Sequence, residues 1–543
     1  MRFIGILGII TLLGIAYLIS NNRKKIRLRI VVWGLLLQVL FAAIILGGST
    51  LSYFAMFLFL MLIVVYIFKD NINIAASTGK QIVKAAVVIG CALFSMALFF
   101  LGSKVGLLGW IFWFLLLTII LKSFLKKPVY QKELVAGLLS SGYVFLLKNN
   151  ITGEKIFAML SQKVEKFLSL SDYGAEFLFG NIALKKYFGA TDTWPGFGFQ
   201  FGFTVLPVII FFAATISILY HLGVMQKIIR WMALFMQWTM GTSGTETLSC
   251  TANVFVGQTE APLLIRPFLD SMTLSELLTI MVGGFATIAG GVLAGYIAMG
   301  ISAGHLIAAS VMSAPAALVV AKIIFPEAEH SKTAGDVEIP KDIIKSTNML
   351  DAASRGVTDG LKLAVNVGAM LIAFIALIGL VDSILSILDR FIDGKLFNGV
   401  YGEYATASGF SPIKGEYNGI FPGSLKTFFG TIFRPLAWLM GVSWQYAGEV
   451  GNLLGIKIAL NEFVAYGTLA ELKNIGALNE KAVIISTYAL CGFANFASIG
   501  IQIGGIGALA PGRRSDLSKV ALKAMFGGAI ASWITASIAG ILL

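Results

Sequence analysis

The sequence predicts an all-α polytopic membrane protein, with about 12 transmembrane helices and two re-entrant hairpins in an inverted repeat. Of the 543 residues, 57% are hydrophobic and only 13% are charged, whereas a soluble domain carries about 25% charged residues. Long apolar runs recur along the whole chain, and a helix satisfies its own backbone hydrogen bonds inside lipid. Two apolar segments interrupted by polar residues, and an internal duplication, predict the hairpins and the repeat.

Apolar runs that approach or reach the ~20 residues needed to cross a membrane define the predicted helices. The shortest of them is the run at 134–148. The candidate spans are 3–20, 30–48, 51–68, 85–102, 106–121, 134–148, 201–224, 275–301, 304–325, 364–388, 480–510 and 520–542.

The charge distribution predicts the orientation of these spans. Basic residues from Arg23 to Arg29 place the first loop in the cytoplasm, so both the N-terminus and the C-terminus are expected outside. The same rule explains the net charge of +13. No basic helix interleaved with aromatic residues is present, so nucleic-acid binding is not expected. Four later loops are also basic and fall on the cytoplasmic side: 69–84, 122–132, 322–345 and 513–523.

Two segments must return to the side of the membrane on which they start if this alternation is to hold. They are 225–274 and 431–479, and both are apolar but interrupted by Gly and polar residues. Each is therefore predicted to form an interfacial helix and a re-entrant hairpin.

The two hairpins belong to an internal repeat. "NVFV" begins at Asn253 and "NEFV" at Asn461, while "GFAT" begins at Gly284 and "GFAN" at Gly492; both pairs are separated by 208 residues (461 − 253 and 492 − 284). The predicted crossings between the copies are odd in number, so the second hairpin enters from the opposite face. This organisation is typical of a secondary transporter that binds substrate and ion near the midplane.

Polar residues concentrated in the hairpins are the candidate binding groups. Ionisable residues inside a membrane are costly and usually functional, which singles out Glu260 and Glu462. Gln258 and Thr259 directly precede Glu260. Asn and Thr in membrane helices often only bond neighbouring helices, so Asn253 alone would not indicate a site.

The residue types restrict the ligand. Carboxylates, amides and hydroxyls suit a ligand with several O–H or N–H donors, such as a sugar or a nucleobase. A phosphorylated ligand would require Arg or Lys, and neither occurs in 250–264, 283–291 or 491–505. Oxygens of Asn253, Thr287 and Val256 could hold Na+, and Phe493 could offer an apolar face to a planar ring or simply pack in the core.

Two other charged residues are expected to be structural. Glu246, after "GTSGT", is expected to cap the start of the first hairpin. Lys457 is expected to be a partner within the second hairpin.

The sequence resembles the concentrative nucleoside transporters over nearly all of 156–543 and in the first two spans. The motifs that carry the resemblance stand in the same order as in that family. They are "FLSLSDYGAEFLFGN" (167–181), "GTSGTETLSCTANVFVGQTEAPLLIRPFL" (241–269), "GGFATIAGGVLAGY" (283–296), "SVMSAPAAL" (310–318), "GVSWQYAGEVGNLLG" (441–455), "LNEFVAY" (460–466) and "YALCGFANFASIGIQIGG" (488–505).

The resemblance implies a homotrimer in the inner (cell) membrane of a bacterium that moves its transport domain by an elevator mechanism. It implies that Gln258, Thr259 and Glu260 face the nucleobase. It further implies that Glu462, Asn495 and Ser498 hold the ribose, that Val292 and Phe493 line the pocket, and that Na+ is held by Asn253, Thr287 and the backbone carbonyls of Val256 and Ile288. No cofactor other than the coupling ion is implied.

The implied domain organisation has six parts, and two of them depart from the family pattern. Residues 49–155 are expected to be inserted helices, and the Gly/Tyr-rich outer loop 393–424 is longer than expected. The six parts are two helices at 1–48, the insertion at 49–155, an amphipathic segment and scaffold helix at 156–224, the first transport repeat with a linker helix at 225–363, a scaffold helix and outer loop at 364–430, and the second transport repeat at 431–543.

Sodium-coupled nucleoside import is therefore the predicted function, and three alternatives remain open. The nearest is a proton-coupled symporter of the same fold, in which Glu260 or Glu462 carries the proton. A membrane-embedded hydrolase lacks a nucleophile–base pair or a metal cluster in the sequence. A channel is less compatible with two hairpins that enter from opposite faces.

Overall fold

The computed structural model describes residues 2–69, parts of 89–101, and 131–188, 196, 198–329, 331–332, 346–404 and 412–543. The predicted span 106–121 lies outside the described residues, and so does half of the predicted span 85–102. The described part divides into two compact units. One comprises 1–38, 161–234 and 242–543, and the other comprises 39–160 and 235–241.

Helices make up almost all of the described structure and are numbered here in chain order. They are α1 (Arg2–Leu18), α2 (Leu28–Leu46), α3 (Ser49–Ile67), α4 (Gln131–Lys148), α5 (Gly153–Leu168), α6 (Ser171–Phe179), α7 (Phe201–His221), α8 (Val224–Met240), α9 (Gly244–Ala252), α10 (Leu274–Ala286), α11 (Gly290–Ala298), α12 (Ala303–Ile324), α13 (Met349–Asp389), α14 (Leu425–Leu439), α15 (Trp444–Ala459), α16 (Glu462–Asn474), α17 (Glu480–Leu490), α18 (Phe496–Leu509) and α19 (Arg514–Leu542). A 3₁₀ segment, Ala261–Ser271, follows α9, and a π-helical turn, Arg390–Leu396, follows α13.

Apolar helices long enough to cross a membrane confirm a polytopic helical protein. Among the described residues there are seven, or eight if the bent pair formed by 132–148 and 153–183, with an angle of 94°, counts as one span. α1 and α18 are apolar but shorter. The run predicted at 134–148 therefore corresponds to one arm of a strongly bent pair.

The elements of both predicted hairpins are too short to cross a membrane. α9 has nine residues and the 3₁₀ segment has 11, and an α-helix rises 1.5 Å per residue against a hydrocarbon core of ~30 Å. α15 and α16, with 16 and 13 residues, are joined by only Leu460 and Asn461. Both segments therefore have the dimensions of re-entrant elements.

Each hairpin is followed by a helix that is broken in its middle. α10 and α11 are separated by Thr287–Ala289, where Thr287 has φ −115° and ψ 165°. α17 and α18 are separated by residues 491–495, in which Gly492 has φ +114°. The N-cap side chains of Thr273 and Asn479 start the first half of each broken helix.

The interior of the larger unit consists of α10, α12 and α19. Each of these segments has one most apolar stretch, and the buried share of that stretch differs between segments. It is 89% for 274–298, 89% for 303–324 and 83% for 511–542, but only 22% for α7 and 11% for 349–396. The first broken helix is therefore shielded, whereas α13 presents apolar residues such as Val365, Ile372, Leu380 and Ile387 to its surroundings.

The predicted boundary between a linker helix and a scaffold helix, at 363/364, falls inside α13, which is continuous over 41 residues. Glycines explain part of its packing: a Cβ on Gly356 would lie 2.6 Å from Ala214 Cα of α7, and one on Gly360 would lie 2.8 Å from Ile210 Cα. α13 and α7 therefore approach closely along these small residues.

The outer loop contains a two-stranded antiparallel sheet, β1 (Tyr401–Glu403) and β2 (Gly415–Tyr417), with Tyr401 opposite Tyr417. Carboxylates at the end of α13 accept backbone N–H groups from this loop: Asp389 from Tyr417 at 2.9 Å and Asp393 from Phe421 at 2.7 Å. The loop is therefore anchored to α13.

The smaller unit has its own apolar core. Buried residues of α3 and α4, including Leu60, Val64 and Val144, form one cluster. The Tyr143 hydroxyl donates to the Tyr53 carbonyl at 3.1 Å. Tyr66 packs edge-on against Trp238, with ring centroids 5.3 Å apart.

Candidate substrate and ion site

The two broken helices meet at their breaks. A Cβ on Gly492 would lie 2.5 Å from the carbonyl oxygen of Phe285 and 2.7 Å from the carbonyl carbon of Ala286, at the end of α10. Only glycine fits this contact, and its positive φ also favours glycine. The breaks therefore bring polar backbone and side chains of both repeats to one place.

Glu462 is the centre of a buried polar cluster at this place. It is the first residue of α16 and is 5% exposed. Its Oε1 accepts from the Tyr296 hydroxyl at 3.1 Å, and its Oε2 accepts from Asn495 Nδ2 at 3.1 Å. A carboxylate offers about four acceptor positions, so Glu462 can still accept hydrogen bonds from a ligand.

Asn495 connects Glu462 to the second half of the broken helix. Its Oδ1 accepts from the Ser498 backbone N–H at 2.8 Å and caps α18. Because one end of the carboxamide is fixed by the cap, the other end is oriented toward Glu462.

The first hairpin joins the same network through Gln258. Gln258 Nε2 donates to Ser498 Oγ at 3.3 Å, and Gln258 Oε1 accepts from Gln502 Nε2 at 2.9 Å. Gln502 also donates to the Met281 carbonyl at 3.2 Å. A single set of contacts thus runs from Tyr296 through both hairpins to α10.

Three of the predicted pocket residues lie around this network. Thr259 packs on α18, since a Cβ on Gly505 would lie 2.6 Å from its Cγ2. Val292 is buried in α11, and Phe493 is half-buried at the break.

Glu260 lies elsewhere. It is exposed and lines a cavity of about 650 Å³ together with Tyr220, Arg355, Asp359 and Lys362. Its carboxylate folds back over Gly257. The structure therefore does not include Glu260 in the hydrogen-bond network of Gln258 and Glu462.

Two of the residues predicted to hold Na+, Asn253 and Thr287, are brought together at Gly283, beside the first break. Asn253 is 1% exposed, and neither its Oδ1 nor its Nδ2 has a hydrogen-bond partner. The Asn253 amide lies beside Gly283, and the Thr287 hydroxyl donates to the Gly283 carbonyl at 2.8 Å, which leaves its oxygen lone pairs free. Ile288 is buried next to Thr287, and Val256 is half-buried. Buried polar atoms without a partner are rare in proteins. The unpartnered Asn253 Oδ1 is therefore available as an oxygen ligand for a hard cation such as Na+.

The expectation for Glu246 is confirmed and extended. Its Oε1 accepts from the Ser243 backbone N–H at 2.8 Å, as a capping residue does. Its Oε2 also forms a buried ion pair with Lys322 Nζ at 2.6 Å.

Sequence reasoning missed two residues of the cluster, Tyr296 and Gln502. Lys457 was expected to be a partner within the second hairpin, but its Nζ donates to the Ala489 and Cys491 carbonyls at the end of α17, outside that hairpin. The segments 250–264, 283–291 and 491–505 contain no cation, yet Lys457 is fully buried and its charge acts on Glu462.

Short hairpins, broken helices and a shared polar cluster define a helical secondary transporter rather than an enzyme or a channel. Family models match three parts of the chain: "Na+ dependent nucleoside transporter N-terminus" at 7–70, "Nucleoside recognition" at 202–303 and "Na+ dependent nucleoside transporter C-terminus" at 305–540. The solved transporter CNTnw, in an inward-facing substrate-bound state, matches with a TM-score of 0.71 and 30% identity over 100% of this chain and 98% of that one. The chain belongs to the Na+ dependent, or concentrative, nucleoside transporter family, and its fold is that of an elevator-type transporter.

Curated relatives support the same assignment. An "Uncharacterized transporter" of Haemophilus influenzae is 40% identical over 423 residues, which cover 77% of this chain and 93% of that protein. "Sodium/nucleoside cotransporter 1" of Rattus norvegicus is 43% identical over 399 residues, which cover 71% of this chain. The match spans 56% of the rat protein's length.

Proposed function

We propose that this protein imports nucleosides into a bacterial cell by sodium-coupled, elevator-type transport. The observation that carries the proposal is the pairing of a buried carboxylate held by neutral donors, Glu462, with a buried carboxamide that lacks partners, Asn253. The first suits the hydroxyls of a ribose, and the second suits Na+.

The proposed substrate site uses residues from both repeats. Glu462, Asn495 and Ser498 bind the ribose, because charged and amide acceptors discriminate hydroxyl donors. Gln258 and Thr259 contact the nucleobase, with Val292 and Phe493 as apolar lining. Gln258 must exchange its contacts with Ser498 or Gln502 for contacts to the base.

The Glu260 side chain lies outside the proposed substrate site in this conformation. Because its carboxylate lies over Gly257 in a cavity beside α7 and α13, it must turn toward the nucleobase when hairpin one moves. Its proposed role is therefore tied to the transport cycle.

Na+ is proposed to join hairpin one to the first break. The side chains of Asn253 and Thr287, with the carbonyls of Val256 and Ile288, supply oxygen ligands of the kind that hard cations prefer. Because Gln258 is only five residues after Asn253, a bound ion would fix the hairpin in the conformation that binds substrate.

The remaining proposals concern the assembly. Residues 225–348 and 425–543 are assigned to the mobile transport domain. Its scaffold consists of 156–224 and 349–424, because α13 is continuous from Met349 and packs on α7, and α14 begins at Leu425. Three copies assemble through the scaffold in the inner membrane with both termini outside. The low burial of α13 within one copy supports an external partner, either lipid or a second subunit.

Proton coupling is a second candidate, and one observation favours it. Both direct partners of Glu462 among the described residues are neutral, and burial of a charged carboxylate is costly. A proton on Glu462 would relieve that cost.

Uptake by proteoliposomes separates the two. We expect labelled uridine or adenosine to accumulate against its concentration gradient when a Na+ gradient, high outside, is imposed. A pH gradient alone should not drive this accumulation. Asn253→Ala and Thr287→Ala should raise the Na+ concentration needed for half-maximal uptake. Thr279→Ala is the matched control, because Thr279 makes the same i−4 bond on α10, to Ser275 at 2.7 Å, away from the break. Uptake that follows pH without any response to Na+ would establish the proton-coupled alternative.

A further inference from the structure

Lys457 is a fully buried cation in the second repeat, and the proposed substrate and sodium sites do not include it. It lies on α15, and its side chain is 0% exposed. Its Nζ donates to the Ala489 carbonyl at 3.0 Å and to the Cys491 carbonyl at 3.2 Å. These carbonyls lie at the end of α17, where the break leaves them without helical partners. The Cys491 carbonyl also accepts from the Ser532 hydroxyl of α19.

The first repeat has the same pair of carbonyls but no cation on them. With the offset of 208 residues, Ala489 and Cys491 correspond to Met281 and Gly283. Met281 O accepts from Gln502, and Gly283 O accepts from the Thr287 hydroxyl, so both are satisfied by neutral donors.

The residue that corresponds to Lys457 is Ser249, four residues before Asn253, just as Lys457 is four residues before Asn461. Ser249 Oγ is buried and has no hydrogen-bond partner, and the same is true of both polar atoms of the Asn253 side chain. The first repeat therefore carries unpartnered polar atoms where the second carries an ammonium group.

We infer that Lys457 is a tethered cation that does in the second repeat what Na+ is proposed to do in the first: it bridges the hairpin to the end of the following broken helix. The inference rests on the proposed sodium site. It makes Lys457 a positioning residue that acts through the carbonyls of the break and the charge of Glu462.

A covalently attached cation has two consequences. The second repeat needs no ion from solution, so Na+ should activate transport without cooperativity, with a Hill coefficient of about one. The charge of Lys457 also acts on Glu462, although the described contacts include no ion pair between the two side chains.

The test uses the full-length protein in proteoliposomes and measures uridine Kd, uptake and Na+ activation. Lys457→Met removes the charge at similar size and should weaken uridine binding about tenfold or more, because hydrogen bonds to a charged group and a charge balance are lost. Lys457→Ala leaves room near the carbonyls, and ammonium or methylammonium chloride should restore part of its binding. Lys473→Met is the matched control: Lys473 also donates to a carbonyl, Gly300 at 2.8 Å, but it is exposed at the far end of α16.

Wild-type affinity in folded Lys457→Met, or no rescue of folded Lys457→Ala by ammonium, would overturn the inference. If neither variant folds, the unmodified protein decides: a Hill coefficient of one supports the inference, and a value near two overturns it. Uptake that does not depend on Na+ at all would instead overturn the proposed function.

Discussion

Glu462 is the residue on which substrate recognition depends in this account. Its two oxygens are already oriented by Tyr296 and Asn495 at 3.1 Å each. A ligand hydroxyl would add to this geometry rather than create it, so little ordering is required on binding.

Glu462→Gln keeps the size of the side chain but removes its charge. The charge-assisted part of a hydrogen bond is about 1.5–3 kcal/mol, which corresponds to a roughly ten- to hundredfold weaker nucleoside Kd. Isothermal titration calorimetry with uridine and adenosine measures the nucleoside Kd of the variant. Glu471→Gln, on the same helix, is the control. Unchanged affinity in folded Glu462→Gln would show that the carboxylate does not contact substrate.

Tyr296→Phe tests whether the hydroxyl orients the carboxylate. The ring contacts with Tyr466 and Phe463, at centroid distances of 4.3 and 4.8 Å, remain in the variant. Loss of one hydrogen bond of about 0.5–1.5 kcal/mol should weaken binding only a few fold. Retained wild-type affinity would mean that Asn495 alone orients Glu462.

Single residues were predictable where a polar group interrupts an apolar run. This applies to Glu462 and to Gln258 beside Glu260, because ionisable and strongly polar groups are costly in a membrane unless they are used. Asn253 and Asn495 are assigned to the site through the family resemblance. Tyr296 was not predictable, because tyrosine is compatible with simple packing and its partner lies 166 residues away.

The broken helices are the elements that build the site. The small residues of "GGFATIAGG" at 283–291 and "CGFANFASIGIQIGG" at 491–505 predict a broken helix after each hairpin, and the repeat predicts that the two breaks belong together. Their close approach depends on Gly492, which has φ +114° and lies against the end of α10.

Gly492→Ala should therefore destabilise the protein and weaken nucleoside binding. The backbone conformation alone costs about 1–3 kcal/mol for a non-glycine residue, and the added Cβ would contact Phe285 O at 2.5 Å. Apparent melting temperature in detergent measures the effect. Gly504→Ala, where nothing lies within 4 Å of the added Cβ, should melt like the unmodified protein; equal melting of both variants would contradict the close approach.

The continuity of α13 could not be predicted. Residues 349–363 are more polar than 364–388, which suggested two elements, but a change in polarity does not end a helix when no proline or capping signal interrupts it. Packing of Gly356 and Gly360 on α7 depends on residues over 130 positions away.

At the scale of the whole molecule, a shielded bundle of α10, α12 and α19 contrasts with the exposed α13. The family models leave residues 71–201 unmatched, while α3 lies within the matched N-terminal part. α3 also contributes to the core of the smaller unit, where Phe59 packs edge-on against Phe235 at 6.0 Å. The part of the predicted insertion that is expected to be dispensable for transport therefore lies within 71–130, and its Met96, Ile89 and Phe99 contribute to the core of the smaller unit rather than to the candidate site.

A variant that lacks 71–130, closed by a Gly/Ser linker, should still transport nucleosides. The two predicted spans removed, 85–102 and 106–121, are even in number, so the downstream orientation is preserved. Uptake per properly assembled protein measures this. A larger deletion of 49–152 is the comparison, since it also removes the partners of Phe235 and Trp238 and should assemble poorly. Assembled protein without uptake, in the smaller deletion, would assign the segment to transport itself.

Reciprocal binding of Na+ and nucleoside tests the central claim most directly, because coupling between two ligands is one shared free energy. Titrations of uridine at a series of Na+ concentrations, and of Na+ at a series of uridine concentrations, measure it. We predict that Na+ lowers the uridine Kd and that uridine raises the Na+ affinity by the same factor, and that Asn253→Ala reduces both effects together. A uridine Kd that does not change with Na+ across the millimolar range would contradict sodium coupling.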